Sequence, residues 1–352
     1  MFYRENGQFK TSYRADQAIL PIRLDRIALM ALLGFAVFIV PLLATPYVYT
    51  GLLIPFLILA LATIGLNFLT GYCGQVSLGT GAFMSVGAYA AFNLVLRVPE
   101  MNLLLAFAFG GGVAALVGVV FGLPSLRIKG FYLAVATLAA QFFIDWVFIR
   151  IKWFTDGAPN ATAPDLYLFS IHINTPMSRY LLVLGIVCVL ALVAKNLVRG
   201  NIGRQWMAVR DMDIAAEIIG IRLLRTKLLA FAVSSFYCGV AGALWGFVHL
   251  GAWEPLTFDV NRSFQVLFMV IIGGVGSILG SFLGAAFIFA LPILINQVPA
   301  ALGVPVSTAL ASHLEAMIFG TLIIFFLIKE PHGFARLWAL GKEKMRLWPL
   351  PH

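Results

Sequence analysis

Residues 27–96 read IALMALLGFAVFIVPLLATPYVYTGLLIPFLILALATIGLNFLTGYCGQVSLGTGAFMSVGAYAAFNLVL, seventy positions without one Asp, Glu, Lys or Arg. Since about 20 apolar residues in a helix cross a hydrocarbon core of about 30 Å, this run holds up to three crossings. A second charge-free run, residues 263–314, is 52 positions long and holds two more. Outside these runs the pattern continues: the 352-residue chain is 61% hydrophobic and 11% charged, against roughly 45–50% and about 25% in a soluble domain. A soluble globule is excluded, and the composition predicts an all-α polytopic membrane protein.

Charge boundaries and turn residues place spans near 27–48, 51–70, 76–96, 102–124, 131–150, 180–198, 228–250, 263–280, 281–298 and 311–328, ten in all. Around 51–96 the pattern is interrupted by Gly71, Gly74, Gly79, Gly81 and Gly87, which means either close helix packing or a broken helix. Residues 1–26 form a basic tail, and the apolar run that follows exceeds a signal-peptide core, so the first span is expected to stay as an anchor. An even count puts both tails on one side. The tail 1–26, the turn with Arg127 and Lys129, the segment 195–227 and the tail 329–352 hold 19 Lys and Arg. The opposite side holds five, Arg97, Arg150, Lys152, Arg179 and Arg262, and the excess marks the cytoplasmic side. The expected organisation is thus a cytoplasmic tail 1–26, a membrane domain 27–328 with an external loop 151–179 and an internal segment 199–227, and a cytoplasmic tail 329–352.

The net charge of +9 lies in loops between spans and forms no patch with interleaved aromatics, so no nucleic-acid partner is expected. Cys73, Cys188 and Cys238 lack metal-ligand spacing and read as small apolar packing residues. GxSxG, HExxH and the phosphate loop are missing, so ATP hydrolysis by the common route is not expected of this chain. The stretch GGVGSILG (273–280) has off-register dinucleotide spacing with no βαβ unit around it, which favours tight helix packing or an unwound turn. Ion-coupled transport needs ionisable groups inside the membrane. Asp145, Glu315, His249 and His313 fall towards the external span ends, where an interfacial charge reaching water is the plainer reading.

Two stretches stand out. In 199–227, Asp211 and Asp213 precede Ile214, Ala215, Ala216, Ile218 and Ile219, with Gly220 following, which describes a short helix. It either docks a soluble partner or lies on the membrane face. In GLNFLTGYCGQVSLGTGAF (65–83), Asn67, Thr70, Gln75, Ser77 and Thr80 stand among glycines. Buried amides and hydroxyls need partners, which polar helix-to-helix bonding or a broken helix lining a cavity would supply.

The stretch 65–83, the segment AVRDMDIAAEIIGIRLLRTKLLAFAVSS (208–235), the run SFQVLFMVIIGGVGSILGSFLGA (263–285) and the ending KEPHGFARLW (329–338) together resemble the LivM-type permease of bacterial branched-chain amino acid ABC importers. The basic close MRLWP (345–349) is similar to that family's too. The resemblance implies broken helices near the centre of an ABC importer permease fold in the bacterial inner membrane. It also implies a LivH-type second permease, two cytoplasmic ATPase subunits that use ATP and Mg, and a periplasmic binding protein. This chain itself would be non-catalytic and bind no cofactor. The segment 208–222 matches the part of such permeases that contacts the ATPase. Arg210, Asp211, Glu217 and Arg222 are expected to make polar contacts there, with Ile218 and Ile219 filling a groove and Gly220 closing the helix. Asn67, Gln75, Ser77, Gly273, Gly274 and Ser277 are nominated to line the substrate path. Asp156, Asp165, Glu254 and Asp259 are nominated to seat the binding protein. The alternative reading is a stand-alone ion-coupled transporter of small polar metabolites.

Overall fold

The computed structural model describes Ser12 and residues 23–98, 101–123, 131–151, 153–154, 161–162, 167–168, 171–173, 175–301, 308–329 and 333–347. Among them, eight helical segments are long and apolar enough to cross a membrane: Asp25–Leu43, Val48–Tyr72, Leu103–Gly122, Tyr132–Arg150, Pro176–Arg199, Leu223–Leu250, Leu256–Gly273 and Ile278–Ile295. Thr80–Arg97 and Thr308–Lys329 add two further apolar helices, which gives the expected all-α polytopic architecture. In chain order we label α1 (Arg23–Gly34), α2 (Ile54–Asn67), α3 (Thr80–Arg97), α4 (Leu103–Gly122), α5 (Phe131–Arg150), α6 (Pro176–Arg199), α7 (Asn201–Asp211), α8 (Asp213–Ile218), α9 (Leu223–Leu244), α10 (Val260–Gly273), α11 (Ile278–Ala301), α12 (Thr308–Lys329) and α13 (Gly333–Leu347).

Local sequence sets the helix starts. Asn102 accepts a hydrogen bond from Leu104 N at the head of α4, Thr175 accepts one from Ser178 N ahead of Pro176 in α6, and Asp259 accepts one from Arg262 N in α10. Each satisfies an N–H that has no helical partner, and proline tolerates the first helical position for the same reason. Wide π turns continue α2 through Phe68–Tyr72 and α9 through Trp245–Leu250. Cys73 N and Gly251 N accordingly reach five residues back, to the carbonyls of Phe68 and Gly246.

Lipid tails are as apolar as the helices, so close packing between helices must hold the bundle together. Helices α3, α4 and α9 meet at glycines. A side chain on Gly87 would overlap the Gly239 backbone, and one on Gly110 would come within 2.5 Å of the Gly87 carbonyl oxygen. Helix α2 is buried along nearly its whole length and crosses α9 where Gly65 faces Tyr237 and Cys238. The peripheral first span, which continues α1 through the π turn Phe35–Ile39, is tied to α6 by the Tyr180 hydroxyl donating to Ala36 O at 3.0 Å.

The two ends of the bundle differ. At one, β1 (Ala161–Thr162) pairs antiparallel with β4 (Ala252–Trp253), and β2 (Tyr167–Leu168) with β3 (Ile171–His172). Nearby, Asn93 Nδ2 donates to Phe154 O and the Arg97 guanidinium sits 3.5 Å over the Trp153 ring. At the other, Lys342 on α13 pairs with Asp25 on α1 at 2.8 Å, and Gly333 packs on the backbone of Ile272 and Gly274. Helices α7 and α8 lie at this same end, because Arg210 contacts Gly71 beside Gly276.

Two stretches depart from the sequence expectation. The crossing expected at 76–96 is helical only from Thr80, and the turn expected near 280 lies at 274–277. Gly74 and Gly276 explain both, with φ of +72° and +79°. A residue in that left-handed region cannot continue a right-handed helix, and glycine enters it without steric penalty. Hydropathy carries no mark of it. Helix α10 itself is 14 residues or about 21 Å, and reaches spanning length only together with the turn that precedes it, as Leu256–Gly273. The segment 199–227 holds two helices, α7 and α8, where one was expected. Arg4, Lys10, Arg14, Arg127, Lys129, Lys152, Asp156, Asp165 and the close at 348–352 lie outside the described residues, as does the Glu315 side chain.

Candidate translocation path and coupling segment

Between Tyr72 and Thr80 the chain leaves the helix, and along 74–78 its residues alternate between open and buried. Gly74 and Val76 face outward and Leu78 is partly open, whereas Gln75 and Ser77 are buried, at 6% and 2% exposure. Of the nominated path residues, Gln75 and Ser77 therefore point into the bundle. The open edge is built from Gly74, Val76, Leu78 and the backbone between them.

Leaving a helix inside the membrane strands backbone N–H groups that water cannot satisfy. Here side chains do so. Thr137 Oγ1 accepts from Leu78 N at 2.9 Å, and Ser263 Oγ accepts from Gly81 N at 2.7 Å. Gln141 Oε1 accepts from Ala82 N and from the Ser263 hydroxyl, while its Nε2 donates to Phe258 O at 2.9 Å and to both oxygens of Asp145. Thr137, Gln141 and Asp145 recur four residues apart, on one face of α5. The first turn of α3 is thus capped from α5 and α10 midway along α5. Asp145, read from sequence as an interfacial charge, is half-buried in this polar cluster.

Helix α10 shows two faces. Ser263, Val266, Met269, Val270 and Gly273 are buried, while Asn261 is exposed and Phe264, Gln265, Phe268 and Ile271 are partly open. Asp259 is engaged in capping this helix and accepts a further bond from Asn261 Nδ2 at 2.6 Å. Glu254 is exposed. Arg262 lies 4.4 Å over the Trp245 ring and donates to Gln265 Oε1 at 2.7 Å.

The two breaks meet at Asn67. Its Nδ2 donates to Ser277 O and Ser281 Oγ, both at 2.9 Å, and its Oδ1 accepts from Gly276 N at 2.8 Å. Ser277 Oγ in turn accepts from Gly280 N at the start of α11. Gly273 lies backbone to backbone against Gly280 and Gly284, and Gly274 is buried beside it. The structure therefore brings Asn67, Gly273, Gly274 and Ser277 to one junction and leaves Gln75 and Ser77 on the non-helical segment. That segment touches α10 at Gly81–Ser263 and the following turn at Gly71–Gly276, so it runs alongside α10.

The segment 199–227 has an anchored half and a presented half. In α7, Gly203, Trp206 and Val209 are buried. The Trp206 ring is 5.7 Å from Phe68, and its Nε1 donates to Thr226 O at 3.0 Å. In α8 only Ala216 is buried, while Ile214, Ile218 and Ile219 are 67%, 80% and 74% exposed. Asp211, Glu217, Gly220 and Arg222 are exposed with them. Arg210 is exposed too, but its Nη1 donates inward to Gly71 O at 2.9 Å while Nε and Nη2 face Asp211 Oδ1. Among the described residues no group of three or more His, Cys, Asp or Glu side chains is placed to hold a metal ion.

Sequence reasoning missed Thr137, Gln141 and Ser263. The 137/141/145 spacing of polar residues on one face of an otherwise apolar helix was the available signal.

A family model described as "Branched-chain amino acid transport system / permease component" matches residues 48–327. The chain belongs to this family. It is 30% identical over 239 residues to the high-affinity branched-chain amino acid transport system permease proteins LivM of Salmonella typhimurium and Escherichia coli, covering 61% of this chain and 56% of theirs. It thus spans little more than half the length of these curated relatives. A probable branched-chain amino acid transport permease protein LivM of Methanocaldococcus jannaschii is 24% identical over 263 residues, 72% of this chain and 75% of that one. An autoinducer 2 import system permease protein LsrC of an Enterobacter species is 26% identical over 219 residues, 61% of each. No solved structure matches. The match to the permease family takes in the helices from α2 through most of α12, and with them the Asn67 junction, the Gln141 cluster and the segment 199–227.

Proposed function

We propose that this chain is the membrane-spanning permease subunit of an ABC importer that moves branched-chain or closely related amino acids across the bacterial inner membrane. The carrying observation is α8, a short helix that buries Ala216 and presents Ile214, Ile218 and Ile219. Apolar side chains held out in this way fit a protein groove rather than water. On this reading α7, α8 and both termini are cytoplasmic, in keeping with the 19-to-five division of basic residues. Two ATPase subunits bind ATP and Mg and grip α8, a LivH-type permease completes the path, and a periplasmic binding protein delivers the substrate. This chain holds no cofactor and catalyses no reaction.

ATP can shift a conformational equilibrium only by favouring one state over another. The ATPases must therefore hold α8 differently when open and closed. The path is lined by the 74–78 edge, the open face of α10 and the Asn67 junction, and selectivity resides mainly in the binding protein. Ile218→Asp places a charge in the docking groove. In reconstituted complexes it should lower hydrolysis stimulated by loaded binding protein at least tenfold, and an unchanged rate refutes the docking.

A further inference from the structure

The last carbonyls of a transmembrane helix have no donor within the helix, and its C-terminal end carries partial negative charge. The span ending at Tyr72 meets this problem where α7 packs against it, beside the exposed Gly74 and an Arg210 side chain that is itself 37% exposed. Leu69 O is satisfied by Gln75 N from the non-helical segment. Gly71 O is satisfied by Arg210, a residue 139 positions away on α7, at 2.9 Å. Gly74 stands against the Arg210 stem, where a side chain would come within 2.8 Å of its Cγ, and Gly71 in turn abuts Gly276.

We propose that Arg210 is a positioning residue, a cap supplied in trans that latches the coupling segment to the broken span, rather than a contact made by the ATPase. Asp211 takes Nε and Nη2 and thereby aims Nη1 at Gly71. Trp206 pins the same helix to Phe68, three residues before Gly71. A displacement of α8 and α7 therefore acts directly on the Gly71 carbonyl, and through the contact of Gly71 with Gly276 on the junction held by Asn67. Drawing the guanidinium away leaves a buried carbonyl unpaired at that junction and frees the 73–79 segment to move. Reseating it restores the cap.

This inference rests on the proposed docking of α8, and the two are separable by experiment. Complexes carrying Arg210→Ala, Arg210→Lys or Asp211→Asn are reconstituted in vesicles with their ATPases and binding protein, and substrate moved per ATP hydrolysed is measured beside subunit recovery. Arg210→Ala should recover the ATPase subunits in full, keep basal hydrolysis, and lower the substrate-to-ATP ratio at least tenfold. Arg210→Lys, which can still reach one carbonyl, should restore part of that ratio, and Asp211→Asn should lower it about threefold. An unchanged ratio in Arg210→Ala, or loss of the ATPase subunits from it, overturns the latch. If Arg210→Ala does not accumulate, Asp211→Asn decides alone, since its side chain is largely exposed and an unchanged ratio there overturns the latch equally. Failure of Ile218→Asp to affect stimulated hydrolysis would instead refute the docking.

Discussion

Asn67, the last residue of α2, and Ser277, in the turn between α10 and α11, are joined by a 2.9 Å hydrogen bond across 210 positions of sequence. The same amide holds Ser281 Oγ and Gly276 N. Asn67→Ala removes both the donors and the acceptor and leaves buried polar groups unpaired, at about 1–3 kcal/mol each. The thermal midpoint of the purified protein should fall clearly. Asn67→Asp, which keeps the acceptor and loses the amide donors, should also fall below wild type. A midpoint unchanged in both would mean the junction is not closed as described.

The alternation along 74–78 yields a labelling test. Val76→Cys should react with a membrane-impermeant maleimide in vesicles open at the α7 end, and Ser77→Cys in the same background should resist it. Equal labelling would show that the segment does not alternate in the manner seen. Cys73 and Cys238 are buried and Cys188 is partly exposed, so replacing all three first with alanine or serine gives a clean background.

Gln141 holds four partners, Ala82 on α3, Asp145 on α5, Ser263 on α10 and Phe258 in the turn before α10. Gln141→Leu leaves Ala82 N and Phe258 O without side-chain partners inside the membrane, and at about 1–3 kcal/mol per group it should lower both the thermal midpoint and uptake. Gln141→Glu keeps the acceptors but sets a second carboxylate beside Asp145, and should be at least as harmful at neutral pH. A gain of stability in Gln141→Glu on acidification would follow, since protonation removes that repulsion. Midpoints measured across pH check the sign.

The Lys342–Asp25 pair links α13 to α1 at 2.8 Å with both side chains partly exposed. Such pairs are worth about 0–1 kcal/mol. A double-mutant cycle read by thermal midpoint should return a small coupling that shrinks with added salt. A coupling of several kcal/mol would contradict this.

The all-α polytopic architecture was legible because lipid imposes a plain rule, about 20 apolar residues per span, and the 70-residue and 52-residue charge-free runs obey it. The short helix with Ile214, Ile218 and Ile219 was equally plain, from acidic residues ahead and Gly220 behind. The interior of 71–79 was not. Whether a glycine-rich stretch packs tightly or breaks depends on which neighbour arrives, and Gly71 faces Gly276 from two hundred residues away. The inward turn of Gln75 and Ser77 likewise follows from the one-residue register of the non-helical segment, which composition does not fix. Arg210 reads from sequence as a polar contact for the ATPase, because nothing local to it reveals Gly71.

Gly87 on α3 meets Gly239 on α9 with no room for a methyl group, and Gly87→Val should overpack the contact by about 1–3 kcal/mol. Reduced accumulation of folded protein, read by size-exclusion chromatography in detergent, checks this.

Where main chains interlock at Gly87, Gly110 and Gly239, there are no side chains to serve as a sliding layer. Helices α3, α4 and α9 are therefore keyed into one rigid block. Any change of shape during a transport cycle has to be taken up outside that block, and the non-helical 73–79 segment leads directly into it at α3.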